Sequence, residues 1–257
     1  ETDTMDIYSY RDTTGDGVAD EKKLLYKRGA YGRGNNQSVE HQDSGLIWNL
    51  DNHIYISYNI ERYRFTDGNW QAEKQRGHWT QWGLTHNETG DLYWAQNSDP
   101  LTSPYLHPRY WGTVQRLAGK EVYGTAIDMG KPYGPGFMQV KSLCLLNDRG
   151  GSAAQVRSFT SACGQSIFQG HKLPYADYGR YFICDPTIHV VRRANVSKKS
   201  GLDDLEKTEP GEAEFLRSSD INSRFVNTAT GPDGCLYVTD MYRGIIQDAP
   251  WLSPGPR

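Results

Sequence analysis

FVNTATGPDGCLYVTDM, residues 225–241, decides the fold. Small, β-branched and aromatic residues run into a Gly-Pro-Asp-Gly turn, and Cys-Leu-Tyr-Val returns, which is the pattern of a β-hairpin. The same grammar recurs in SGLIWNLDNHIYISYN (44–59) and WGLTHNETGDLYWAQN (82–97). In each, a strand enters an Asn/Asp/Gly turn and leaves through an aliphatic-Tyr step: Ile54-Tyr55, Leu92-Tyr93 and Leu236-Tyr237. A looser copy runs from Phe159 to Val191, with Arg180-Tyr181-Phe182 at that step.

Hairpins repeating about every 40 residues with one turn chemistry are the signature of β-propeller blades. A β-sandwich is the alternative, but sandwiches do not reuse a single turn-and-strand grammar. The expected fold is therefore all-β: a β-propeller of the six-bladed type, built of antiparallel blades, in one domain over residues 1–257. The interval between Tyr93 and Tyr181 holds a loop-rich insertion at about 100–155, rich in Pro, Gly and Tyr. The visible copies fill four or five blades, so the propeller is expected to be incomplete, the rest degenerate or outside this chain. The longest helical candidate, Leu202 to Leu216, is broken by Pro210 and Gly211 and reads as a loop with a helical turn.

Composition narrows the function. A net charge of -3, with Lys and Arg dispersed along the chain, gives no electrostatic footprint for nucleic acid. Leu, Ile and Val never form a run long enough for a membrane-spanning helix. The first residue is Glu, so the numbered sequence reads as a processed or truncated piece with any targeting signal outside it. There is no haem-attachment CxxCH, no Walker A loop, no GxSxG and no HExxH.

Three features carry chemistry. In DTTGDGVADE (12–21), Asp12, Thr14, Asp16 and Asp20 take alternating positions of a calcium loop, with Gly17 at the sharp turn and the Val18 carbonyl as a further oxygen. Thr14 replaces an acid and Lys23 stands at the bidentate position, so an Asx-type turn without metal is the alternative. Secondly, the start of a hairpin's first strand and the end of its second lie at one mouth. This gathers His41 with Asn59, His78 with Asn97 and Asp99, and Arg224 with Asp240 and Arg243, as a ligand site would require; polar loops without function are the alternative. Thirdly, Cys163 and Cys184 end the fourth hairpin. A disulfide between them is expected in an oxidising compartment, with two buried thiols as the alternative, while Cys144 and Cys235 have no evident partner. Asn36, Asn87 and Asn195 head glycosylation triplets, and Trp79, Trp82, Trp94, Trp111 and Tyr110 are aromatics for packing or for stacking on sugars.

DTTGDGVADEKKLLYKRG, NSDPL, FTSACGQSIFQGHKLP, YGRYFICDP, EFLRSSD and FVNTATGPDGCLYVTDMYRGIIQ follow in an order that resembles the propeller domain of bacterial "membrane-bound dehydrogenase" proteins, frequent in planctomycetes and verrucomicrobia. These are related to the sorbosone and soluble glucose dehydrogenases. The resemblance is most specific between residues 155 and 248. It implies an exported protein, periplasmic or at the cell surface, working with a larger membrane-associated or cytochrome-containing complex. It further implies calcium and pyrroloquinoline quinone as cofactors, with a sugar, polyol or aldehyde as substrate. On that reading His41 is the general base, Arg224 and Arg243 hold the quinone carboxylates, and Asp240 orients an arginine or binds a cation. Asn97 and Asp99 contact the carbohydrate. A non-catalytic propeller, acting as the binding or assembly subunit of an extracytoplasmic complex, is the alternative.

Overall fold

A computed structural model describes residues 6–27, 45–57, 61–74, 82–95, 159, 161–199, 202–211, 213–220 and 222–243. The described residues are all-β apart from one short 3-10 turn, Tyr175–Asp177. Their strands form five antiparallel sheets, each made of neighbours in sequence. β1 (Ile7–Arg11) pairs with β2 (Glu21–Tyr26). β3 (Ile47–Trp48), β4 (Ile54–Ile56), β5 (Glu61–Thr66) and β6 (Asn69–Lys74) make a four-stranded meander. β7 (Leu84–His86) pairs with β8 (Leu92–Trp94). The fourth sheet runs β9 (Cys163–Ile167), β10 (Tyr181–Asp185), β11 (Val190–Lys199) and β12 (Leu202–Lys207), with β13 (Leu216–Arg217) also on β11. β14 (Phe225–Thr230) and β15 (Leu236–Asp240) complete the set.

Three hairpins turn in one way, which explains the shared sequence grammar. Asn49 N donates to His53 O at 2.9 Å, Asn87 N to Asp91 O at 3.1 Å and Gly231 N to Cys235 O at 2.8 Å. Inside these loops Asn52, Gly90 and Gly234 donate back to the first turn residue, and all three have positive φ (62, 83 and 81°). That conformation suits Gly and, among other residues, Asn. The recurring Tyr closes the unit from its side chain. Tyr55 Oη donates to Asp51 Oδ2 at 2.6 Å and Tyr237 Oη to Asp233 Oδ2 at 3.1 Å, while Tyr93 Oη lies 3.4 Å from Asn87 Nδ2. Asn87 also accepts from Thr89 N, Thr89 Oγ1 and Asp91 N. Its triplet is therefore spent on holding a turn.

The sheets stack face to face in chain order, with an apolar cluster at each seam. Ile7, Ile56 and Tyr63 join the first sheet to the second, and Tyr55, Leu84, Leu92 and Trp94 join the second to the third. Tyr93, Ala95, Ile167, Tyr181 and Ile183 join the third to the fourth, and Cys163, Phe168, Phe182, Val191 and Phe225 the fourth to the last. Each fully buried aliphatic or aromatic side chain contributes about 1.5–3 kcal/mol, so the seams outweigh any single hydrogen bond in fixing this stack. The described residues do not close a ring.

One segment departs from its sequence reading. Leu202–Lys207 is a strand, paired with β11 from Ala194↔Lys207 to Lys199↔Leu202, and not a loop with a helical turn. β11 is ten residues long, and its backbone donors and acceptors on that side need a partner wherever water does not satisfy them. Long-range pairing here overrides local propensity. Pro210 then ends the ladder, with Ala213 N bonded to Pro210 O.

Candidate functional site

The first strands of four sheets, β3, β7, β9 and β14, come together and enclose a cleft of ≈ 330 Å³. Their registers align it. Tyr55 pairs with Ile47, Tyr93 with Thr85, Tyr181 with Ile167 and Tyr237 with Ala229. Two residues before each partner stand Gly45, Gly83, Gln165 and Asn227, all of them on the wall. The strands approach closely because the first two are glycines: a Cβ on Gly45 would lie 3.0 Å from Gly83 Cα.

Hydrogen bonds lock neighbouring strands across the seams. Gln165 Nε2 donates to Gly83 O at 2.6 Å, Gly164 N to Trp82 O at 3.0 Å and Ile167 N to Thr85 Oγ1 at 3.3 Å. On the other side Thr228 Oγ1 donates to Gly164 O at 2.8 Å, and Ser166 and Thr228 hydroxyls meet at 2.8 Å. Gly164 is the pivot: its φ is +58° and an added Cβ would sit 2.1 Å from Val226 O.

Chemically the wall is neutral. It carries the amides of Gln165, Gln169 and Asn227, the hydroxyls of Thr85, Ser166, Thr228 and Thr230, and, among the described residues, no Asp, Glu, Lys or Arg. Gln165 is 4% exposed, and its Oε1 has no hydrogen-bond partner among the described residues. Buried acceptors are nearly always satisfied, so this atom calls for a donor from outside them. The one titratable group among the described residues of the wall is His86, half-buried. Its Nδ1 lies 2.7 Å from Asn87 O. A carbonyl only accepts, so Nδ1 carries the proton and Nε2 is left as the ring's base.

The mouth anticipated from the hairpin geometry is partly outside the described residues. His41, Asn59, His78, Asn97 and Asp99 all lie there, as does Cys144. Arg224 and Asp240 do meet: Arg224 N donates to Asp240 Oδ1 at 2.6 Å, and Ser223 Oγ to Asp240 Oδ2 at 2.8 Å. The Arg224 side chain turns inward instead, 4% exposed, with Nη1 3.1 Å from Ser223 O and 3.1 Å from His189 Nε2. His189 donates from Nδ1 to Ser223 O at 2.5 Å. Burial lowers the pKa of both side chains, and the guanidinium pushes the imidazole down further. Asp240 is held below the usual carboxylate range by the Arg224 and Tyr242 amides and the Ser223 hydroxyl, against an opposing desolvation. Arg243 is exposed just past the end of β15.

Pyrroloquinoline quinone, with its carboxylates, needs cations. Among the described residues the cleft wall offers none, Arg224 is buried against His189 and Arg243 lies past β15 outside the wall, so these residues do not assemble a site for it. The 12–20 loop is likewise self-contained. Asp12 accepts from Gly15 N at 2.6 Å, Gly17 N at 2.8 Å and Thr14 N at 3.0 Å. Asp20 accepts from Thr13 Oγ1 at 2.7 Å, and Asp16 from Val18 N at 2.8 Å. Bonds to the Gly17 and Gly15 amides lower the Asp12 pKa, and the Thr13 hydroxyl lowers that of Asp20. Among the described residues no group of three or more Asp, Glu, His or Cys converges as a metal site.

Cys163 and Cys184 are directly opposed on β9 and β10. Both are buried thiols, not a disulfide, and burial raises both pKa values well above that of a free cysteine. The hairpin geometry brought them together; the apolar seam around Phe168, Phe182 and Val191 houses them as small hydrophobes.

Reading the sequence missed the wall itself. Gln165 and Asn227 sit mid-strand and His86 and Thr230 at strand ends, with no catalytic or ligand motif around them, and only aligning the copies on their recurring Tyr places Gln165 and Asn227 on one level of the fold.

A family model for a domain of unknown function, DUF7133, matches residues 2–256. No curated protein matches the sequence. Among solved structures, a putative oxidoreductase (glucose dehydrogenase) from Thermus thermophilus is 15% identical, with 90% of this chain and 85% of that chain covered and a TM-score of 0.36. A glucose dehydrogenase is 16% identical over 86% of this chain and 88% of the other, at a TM-score of 0.39. Virginiamycin B lyase from Staphylococcus aureus is 9% identical over 85% and 62%, at 0.34. Likenesses at these scores settle neither fold nor activity.

Proposed function

The chain belongs to the DUF7133 family, and on that footing we propose that it is a propeller-type domain whose inner-strand cleft binds a neutral polyhydroxylated compound, a sugar or polyol. The stacked sheets are then blades, and β3, β7, β9 and β14 their axial strands. One observation carries the reading: among the described residues, a wall of amides and hydroxyls without Asp, Glu, Lys or Arg, in which Gln165 Oε1 has no hydrogen-bond partner. A sugar hydroxyl donates to such an oxygen and accepts from the amide of Asn227. A charged substrate would find no counter-ion among the described residues of the wall.

The tautomer of His86 favours a second reading, in which the bound compound is also oxidised. Nε2 would take the proton of a substrate hydroxyl, with Asn87 O holding the ring in place. A separate redox group would have to receive the hydride, and the described residues do not accommodate the quinone that the sequence resemblance implies. An extracytoplasmic location and a cytochrome-bearing or membrane-associated partner belong to this second reading.

Calorimetric titration of the full chain with glucose, galactose, mannose and sorbitol tests the first reading. Saturable binding of at least one, weakened about tenfold by Asn227→Ala, supports it; no binding to any of them ends it. Sugar-dependent dye reduction that disappears in His86→Gln, with sugar binding kept, would establish the second.

A further inference from the structure

The loop between β9 and β10 leaves the cleft wall at Gln169 and carries two tyrosines into solvent. Tyr175 is 92% exposed, and its ring stacks on that of Tyr178, with centroids 6.4 Å apart and planes at 11°. Every neighbour holds this loop in place. At its stem Phe168 N donates to Arg180 O at 2.9 Å and Gly179 N to Phe168 O at 2.7 Å. The amides of His171 and Lys172 donate to Gly234 O, in the turn of the last sheet, at 3.1 and 3.0 Å. Tyr178 Oη donates to Glu88 Oε2, in the turn of the third sheet, at 3.2 Å. Asp177, buried at the base of the loop, binds Arg193 Nη1 at 2.6 Å.

A flexible loop would fold so large an apolar ring back onto the protein; this one is braced by the sheets on both sides with the ring outward. An aromatic presented to water on a braced loop is prepared for a flat apolar partner, since the backbone that carries it is ordered before binding. The same loop starts, six residues earlier at Gln169, from a wall whose described residues are neutral amides and hydroxyls. A sugar ring matches both: its C–H face stacks on an aromatic while its hydroxyls bond amides.

We infer that the ligand is an oligosaccharide chain, one unit of which enters the cleft while a later unit stacks on Tyr175. The inference rests on the sugar-binding reading above. The full chain would be titrated calorimetrically with glucose, galactose and mannose, and with linear α- and β-linked tetrasaccharides of each. A tetrasaccharide should bind about 2- to 12-fold more tightly than its own monosaccharide, the range expected for one aromatic contact. Tyr175→Ala should erase that gain and leave monosaccharide affinity unchanged, and Tyr175→Trp should restore it. Equal affinity for both lengths, or a gain that survives Tyr175→Ala, overturns the inference and leaves the cleft reading standing. Binding of no sugar of either length overturns both.

Discussion

Replacing Gly164 by Ala tests whether the axial strands are as tightly joined as described. Two penalties combine. The residue has φ +58°, where a Cβ costs about 1–2 kcal/mol. The new methyl would also stand 2.1 Å from Val226 O and 2.3 Å from Asn227 Cα, both backbone atoms, so β9 and β14 must separate. Overpacking of this kind costs about 1–3 kcal/mol, and loosening the Thr228-to-Gly164 bond about 1 kcal/mol more. The expected loss is about 3–6 kcal/mol. Gly179 supplies the control, since its φ is +79° with nothing within 4 Å of an added Cβ. Gly179→Ala should therefore show only the backbone penalty, about 1–2 kcal/mol. Urea unfolding of the full chain, with midpoints compared at equal slope, separates the two. If Gly164→Ala is no more destabilising than Gly179→Ala, β9 and β14 do not approach as described and the cleft loses a wall.

The fully buried pair Arg192–Glu214, with oxygen–nitrogen distances of 2.5 and 2.9 Å, should be asymmetric to mutation. Glu214→Ala removes the carboxylate that faces a buried guanidinium and should cost about 3–5 kcal/mol by urea unfolding, whereas Arg192→Met with Glu214→Leu should cost far less. His189 predicts a pH effect. Its folded pKa lies below the ordinary 6.5, so the folded state binds fewer protons there than the unfolded chain. That stability is complete above about pH 6.5 and falls away as the pH drops through the folded pKa. His189→Asn, which keeps the Asn-tolerant φ of 60°, should flatten this part of the stability profile while the flank from Asp240 at lower pH persists.

The hairpins were legible because their instructions are local. Asn52, Gly90 and Gly234 carry the required φ, and the Tyr four residues after Asp51 or Asp233 reports the side-chain bond that seals each turn. The opposition of Cys163 and Cys184 followed from the same geometry. What was not legible depends on distance in sequence. Leu202–Lys207 is a strand because β11 lies beside it, and nothing within the segment says so. Arg224 looked like a carboxylate clamp, yet its guanidinium is turned inward beside Nε2 of His189, thirty-five positions away in sequence. The cleft is the extreme case, since Gly83 and Gln165 face each other only once two separate sheets have stacked.

The alignment of Gly45, Gly83, Gln165 and Asn227 separates the residues that build each sheet from those that line the cleft. Turn residues, the sealing Tyr and the seam side chains maintain the repeat, and none of them occupies that level. The repeats can therefore differ at one cleft-lining position each without disturbing their own hairpins. The cleft is in effect a four-letter word, one letter per repeat, here two blanks followed by two amides. Respelling Gly45 is obstructed by Gly83 of the neighbouring strand, and respelling Gly83 by its own φ of +121°, so new specificities have room to arise chiefly through the letters at 165 and 227.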